Sequence, residues 1–251
     1  MLPLKDDIPT RRFPILTVAI IVACIVIYLG FEQGTLGLSA EGEQRVVEYG
    51  AVPYELTHPG EECELREGAD KLTCPGDGPG DAPWWVTIFT SMFLHGSLLH
   101  LAGNLVFLWI FGNNIEDSMG RFRFVLFYLL GGIVALLAQV LIDPGAEVPT
   151  VGASGAIAGV LGGYAVLYPK ARVITLLLIT IVTLPAVFVL GLWFLVQIFS
   201  GMSELGQPVG GEGGVAYFAH IGGFVFGLLA IKLFANNVHE DYMGERKIPA
   251  H

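Results

Sequence analysis

Six stretches of this 251-residue chain contain no Asp, Glu, Lys or Arg: Phe13 to Phe31, Trp84 to Ile115, Phe124 to Ile142, Val151 to Tyr168, Val173 to Ser200 and Val215 to Ile231. A hydrocarbon core ~30 Å thick is crossed by about 20 mostly apolar residues, so each run reads as one span. The second is longer than a span needs and is expected to enter as loop. Only 14% of the residues are charged, where a soluble domain carries about 25%. A water-soluble globule is therefore excluded, and the expectation is an all-α polytopic membrane protein built as a six-helix transmembrane bundle. The net charge of −10 argues against nucleic acid as a partner; the lipid bilayer is the partner the composition demands.

Turn-forming segments separate the runs, at Asp143-Pro-Gly, at Tyr168-Pro-Lys-Ala-Arg172 and at Gly206–Gly214. The only long polar segment, residues 32–83, holds twelve of the 23 acidic residues and reads as one extended loop. Basic residues are retained in short cytoplasmic loops. With the N-terminus inside, ten of the 13 fall on that side: Lys5, Arg11, Arg12, Arg121, Arg123, Lys170, Arg172, Lys232, Arg246 and Lys247. Arg45, Arg66 and Lys71 stay outside. The expected organisation is a cytoplasmic segment 1–12, a six-span domain 13–236 whose first loop 32–83 is extracytoplasmic, and a cytoplasmic tail 237–251, in the plasma or inner membrane. A cleaved signal peptide ending near Leu38-Ser-Ala40 is the competing reading of the first run, but the run exceeds the usual apolar core of about 7–15 residues. A retained anchor is expected.

Ionisable groups within a membrane mark functional sites, and inside the spans they are His95, His100 and His220, with no mid-span carboxylate. That excludes an intramembrane aspartyl protease, which needs two aspartates sharing a proton, and a zinc protease with a helical His-Glu-x-x-His. His239-Glu240 lies in the tail and has no His four residues on. No metal and no cofactor are expected.

Gly152-Ala-Ser154-Gly-Ala156 opens the fourth run, and Ala219-His220-Ile-Gly-Gly223 lies near the start of the sixth. Both helices run inward from outside, so Ser154 and His220 lie about 5–8 Å down their helices, at matched depth. Gly155-x-x-x-Gly159 and Gly223-x-x-x-Gly227 are small-residue faces that let two membrane helices approach closely. In the second run His100 and Asn104 share a helical face at i, i+4, two donors that can converge on an oxyanion. Each residue also has an ordinary reading: Ser154 as a helix cap, His220 as a helix-packing histidine, Asn104 as interhelical glue.

Together these motifs resemble the rhomboid family of intramembrane serine proteases. The resemblance rests on Thr90-Ser-Met-Phe-Leu-His95-Gly-Ser-Leu-Leu-His100-Leu-Ala-Gly-Asn104, on Gly112 to Glu116-Asp117 with Gly120, on Gly152-Ala-Ser-Gly155, and on Ala219-His220 with Gly223 and Gly227. It implies a six-helix bundle with a water-filled cavity open to the outside, Ser154 as nucleophile and His220 as general base without a third carboxylate. It further implies His100 and Asn104 lining the oxyanion hole, and single-pass transmembrane proteins as substrates, cleaved near the outer face.

The chain departs from the family pattern at Trp84-Trp85, which no arginine follows, and at Ala158, where some members carry a ring that stacks on the base. His220 must then be oriented by something else. Cys63 and Cys74 lie in the outer loop, where an oxidising environment favours a disulfide; the third cysteine, Cys24, lies in an apolar run. Gly206–Gly214 is expected to cap the cavity. Trp193 and Phe194 are expected as lipid-facing interfacial aromatics or part of a lateral gate. Two other classes of function compete: a catalytically silent member that binds membrane clients, and a solute channel, which would line several spans with polar groups.

Overall fold

The computed structural model describes residues 1–32, 40–65, 72–76, 82–205 and 215–236. Strand β1 (Leu2–Asp6) precedes helix α1 (Ile15–Ile27), which runs on through a π-helical turn, Tyr28–Glu32. The sequence of α1, rich in Ile and Val, has modest helix propensity in water. In lipid its backbone groups have no partner except one another, and the helix follows from that.

The described part of residues 32–83 contains more than extended chain. It forms α2 (Ala40–Tyr49), α3 (Pro53–Thr57) and a two-stranded ribbon, β2 (Glu64–Leu65) with β3 (Leu72–Thr73). Cys63 and Cys74 flank that ribbon and are disulfide-bonded. Hydrogen bonds dock the loop onto the bundle, among them Thr90 Oγ1 donating to the Tyr49 carbonyl (2.6 Å), Thr57 Oγ1 donating to the Pro144 carbonyl (2.7 Å), and the bridge of Ala51 to Thr150 just before the fourth run. The loop thus braces the segment that leads into Ser154.

The second run divides into α4 (Trp84–Thr90), an irregular stretch, and α5 (Leu98–Phe107), which continues through a π-turn (Leu108–Gly112) into α6 (Asn113–Met119). Gly120, at φ +79°, ends α6 in a backbone conformation that side chains disfavour, and α7 (Arg121–Ile142) starts afresh. The fourth run is α8 (Ser154–Leu167), only 14 residues or ~21 Å long. Every residue from Gly155 to Tyr164 is buried, so α8 is enclosed by the other helices.

The fifth run departs from expectation. Its first part is a hairpin, β4 (Arg172–Leu177) and β5 (Thr180–Pro185), and only then does α9 (Ala186–Glu204) begin. The reason lies in Thr175, Thr180 and Thr183 among β-branched neighbours, and in Pro185, which suits a helix start. Strand β1 pairs antiparallel with β4, giving sheet order β1-β4-β5. Finally α10 (Tyr217–Phe234) crosses back. Among the described residues, five helical segments are long and apolar enough to span a bilayer: Ile15–Glu32, Leu98–Met119, Arg121–Ile142, Ala186–Glu204 and Tyr217–Phe234. The shorter α8 stands within them. Residues 206–214, the tail 237–251, Arg66 and Lys71 lie outside the described residues, so the expected cap, the tail and the cations they carry do too.

Two buried carboxylates, Asp6 and Glu116, tie the N-terminal segment to the bundle. Asp6 accepts from Asn114 Nδ2 and from the Tyr164 hydroxyl, both at 2.6 Å, which fixes β1 to α6 and α8. Burial pushes its carboxyl up to about 6. Glu116, on α6, accepts from the Leu16 N–H (3.1 Å), the Thr17 N–H (2.8 Å) and Thr17 Oγ1 (2.8 Å). It thereby satisfies donors that the first turn of α1 would otherwise leave without partners. Glu116→Ala is expected to destabilise the fold by at least about 3 kcal/mol, because it strands several buried donors at once. Thermal unfolding in detergent micelles should show a fall in Tm of several degrees, and an unchanged Tm would contradict this role.

Candidate active site

Ser154 is the first residue of α8, and the turn that delivers it depends on Gly152. That glycine has φ +119°, and its N–H donates to the Ser91 carbonyl (2.8 Å). A Cβ there would lie 2.7 Å from Cε1 and Nε2 of His100 and 3.5 Å from Ser154 Oγ. The missing side chain lets the imidazole and the hydroxyl approach the same small volume. The capping explanation for Ser154 does not hold, because the cap position is Ala153 and no side chain caps the helix. Among the described residues, the half-buried Ser154 hydroxyl makes no hydrogen bond.

The small-residue faces bring α8 against α10 backbone to backbone. A Cβ at Gly223 would lie 2.1 Å from the Gly155 carbonyl oxygen, one at Gly227 2.0 Å from that of Gly159, and one at Gly162 2.1 Å from that of Phe224. The Gly155–Gly223 and Gly159–Gly227 rungs ascend together along both helices, so α8 and α10 are parallel. Ala219 Cβ is 3.9 Å from where a Gly155 side chain would begin, which sets Ser154 level with the Ala219–His220 turn. The Ala219 N–H, at the start of α10, donates to Gln139 Oε1 of α7 (3.2 Å).

His220 is buried. Its Nδ1 lies 2.8 Å from Gln197 Oε1 on α9, and the Trp193 ring packs beside it with centroids 5.7 Å apart. Among the described residues no hydrogen bond joins the ring to Ser154. Such bonds are often long in resting enzymes and tighten around bound substrate.

His100 follows the cap Ser97, whose Oγ accepts its N–H (3.1 Å), and its ring meets that of His95 edge-on at 5.2 Å. Asn104 lies one turn on along the same face of α5, buried, its Nδ2 without an acceptor among the described residues. The backbone N–H of His95 donates to Glu32 Oε2 (2.7 Å) and its Nδ1 pairs with the Phe93 carbonyl (3.1 Å), while its buried Nε2 has no partner among the described residues. Trp193 and Phe194 are half-buried and both pack on Phe224, Phe194 stacking on it at 4.4 Å. Among the described residues no three His, Cys, Asp or Glu side chains come together as a metal site.

Sequence reasoning missed Gln139 and Gln197. Both are amides within apolar spans, and a search for polar as well as ionisable intramembrane groups would have found them.

A rhomboid domain model matches residues 82–237, more than half the chain. The rhomboid protease GluP of Bacillus subtilis is 37% identical over 131 residues, 51% of this chain and 25% of that protein. The chloroplastic rhomboid-like protein 11 of Arabidopsis thaliana is 43% identical over 77 residues, covering 31% and 27%. The human mitochondrial presenilin-associated rhomboid-like protein is 30% identical over 140 residues, covering 55% and 35%. The chain thus matches between about a quarter and a third of the length of these relatives. With its apolar helices, the buried α8 and the shared domain, it is a multi-pass membrane protein and belongs to the rhomboid family.

Proposed function

We propose that this chain is an intramembrane serine endopeptidase that acts on single-pass membrane proteins near the outer face of the cell membrane, with both termini cytoplasmic. The observation that carries the reading is the parallel, backbone-close packing of α8 on α10, which holds an uncapped Ser154 level with His220. A serine hydroxyl is a poor nucleophile until a base takes its proton. In the proposed reaction His220 accepts that proton as Ser154 Oγ attacks the scissile carbonyl carbon, and later donates it to the leaving amine. The resulting acyl-enzyme is hydrolysed by water activated in the same way. His100 and the partnerless amide of Asn104 donate to the oxyanion, in surroundings of low dielectric where such bonds are strongest.

The test is cleavage of a single-pass test protein co-reconstituted in proteoliposomes. Ser154→Ala is expected to reduce the rate on the order of 10⁴-fold or more, while the protein keeps its helical content. Cleavage at the wild-type rate would overturn the proposal.

The unformed Ser154–His220 hydrogen bond favours a second reading, a member that holds membrane clients without cutting them. That reading predicts co-purification of the test protein with the wild-type chain and no product at any incubation time.

A further inference from the structure

Ala158 removes the ring that would hold the base from below, and the packing explains why none fits. Its Cβ already lies 3.3 Å from where a Gly223 side chain would start, inside the tightest contact of the bundle. An aromatic side chain at 158 would push α8 and α10 apart. The orientation of His220 therefore has to come from another helix, and α9 meets it on the other side.

We propose that Gln197 is the positioning residue of the dyad, holding His220 in the tautomer that carries hydrogen on Nδ1 and a lone pair on Nε2; this rests on the Ser154–His220 reading above. Gln197 is buried, and its Nε2 donates to the Trp193 carbonyl one turn earlier on α9 (3.3 Å). With the amide nitrogen committed to that carbonyl, the oxygen is the atom that faces His220 Nδ1 at 2.8 Å. An amide oxygen only accepts, so Nδ1 must donate, and a neutral imidazole that donates from Nδ1 has its basic lone pair on Nε2. The Trp193 ring packs beside the same imidazole. One turn of α9 thus supplies both a lateral wall and a hydrogen-bond anchor, and the Trp193 carbonyl of that same helix locks the anchor's direction. Gln197 touches no reacting atom; it acts through His220.

Two variants and one spectrum test the assignment. Gln197→Leu keeps the approximate volume and removes the acceptor, and is expected to lower kcat about tenfold with KM within about twofold, the size of one lost neutral hydrogen bond and its tautomer bias. Gln197→Glu retains an oxygen acceptor and should keep kcat within about threefold of wild type. In protein labelled with ¹⁵N-histidine, the His220 resonances should report Nδ1–H in the wild type and a tautomer mixture in Gln197→Leu. Unchanged kcat in Gln197→Leu, equal losses in both variants, or Nε2–H in the wild-type spectrum would overturn the proposal. If Gln197→Leu fails to fold, the wild-type spectrum still decides. Ser154→Ala separates the two levels of the argument: full cleavage by that variant refutes the dyad, whereas an inactive Ser154→Ala beside a fully active Gln197→Leu refutes only the role of Gln197.

Discussion

His220→Ala is expected to lower kcat as far as Ser154→Ala does, on the order of 10⁴-fold, with the double variant no slower than either single one. The reason is that the two side chains form one device. Ser154 without a base attacks no faster than an ordinary hydroxyl, and His220 without the hydroxyl has no proton to take. What remains after either loss is binding and oxyanion stabilisation, which neither substitution touches. Because His220 is oriented from α9 and stands level with Ser154, its removal leaves the α8–α10 contact intact. The rates belong in proteoliposomes, with folding of each variant checked by thermal unfolding. Losses that add in the double variant would mean that the two residues act independently.

Gly223→Ala should also be damaging, for a mechanical reason. The new Cβ would sit 2.1 Å from the Gly155 carbonyl oxygen, a backbone atom that cannot rotate away. Ordinary contact requires α10 to retreat by about 1 Å, and His220 lies one turn from the collision. A displacement of that size at a reacting group is expected to lower kcat about 100-fold, and overpacking to destabilise the fold by roughly 1–3 kcal/mol. Gly191→Ala is the control: it lies in α9 with nothing within 4 Å of its Cβ position, and it should be neutral or slightly stabilising. Wild-type activity in Gly223→Ala would mean that close approach of the two backbones does not set the geometry.

Much of this arrangement was legible in the residues, and the exceptions have physical causes. Charge-free runs located the long helices because lipid excludes charge whatever the fold. Gly155, Gly159, Gly223 and Gly227 announced the α8–α10 contact because close approach needs small residues at a fixed spacing. Hydropathy failed over residues 173–185, where an apolar strand and an apolar helix score alike. There the threonines and Pro185 carried the distinction, and the partner strand β1 comes from the far end of the chain. Helices α2 and α3 were hidden for the opposite reason, since polar, Gly-rich and Pro-rich sequence resembles unstructured loop. His220 drew attention as an ionisable group, whereas its anchor Gln197 did not, because an amide inside an apolar run carries no charge to betray it.

Proteolysis by this chain requires Ser154 to be an activated nucleophile. Reconstituted protein treated with a mechanism-based serine inhibitor, then digested and analysed by mass spectrometry, tests that without knowledge of the natural substrate. The account predicts a covalent adduct on Ser154, absent in Ser154→Ala and at least about 100-fold slower to form in His220→Ala. No adduct, or one that forms equally fast without His220, would contradict it.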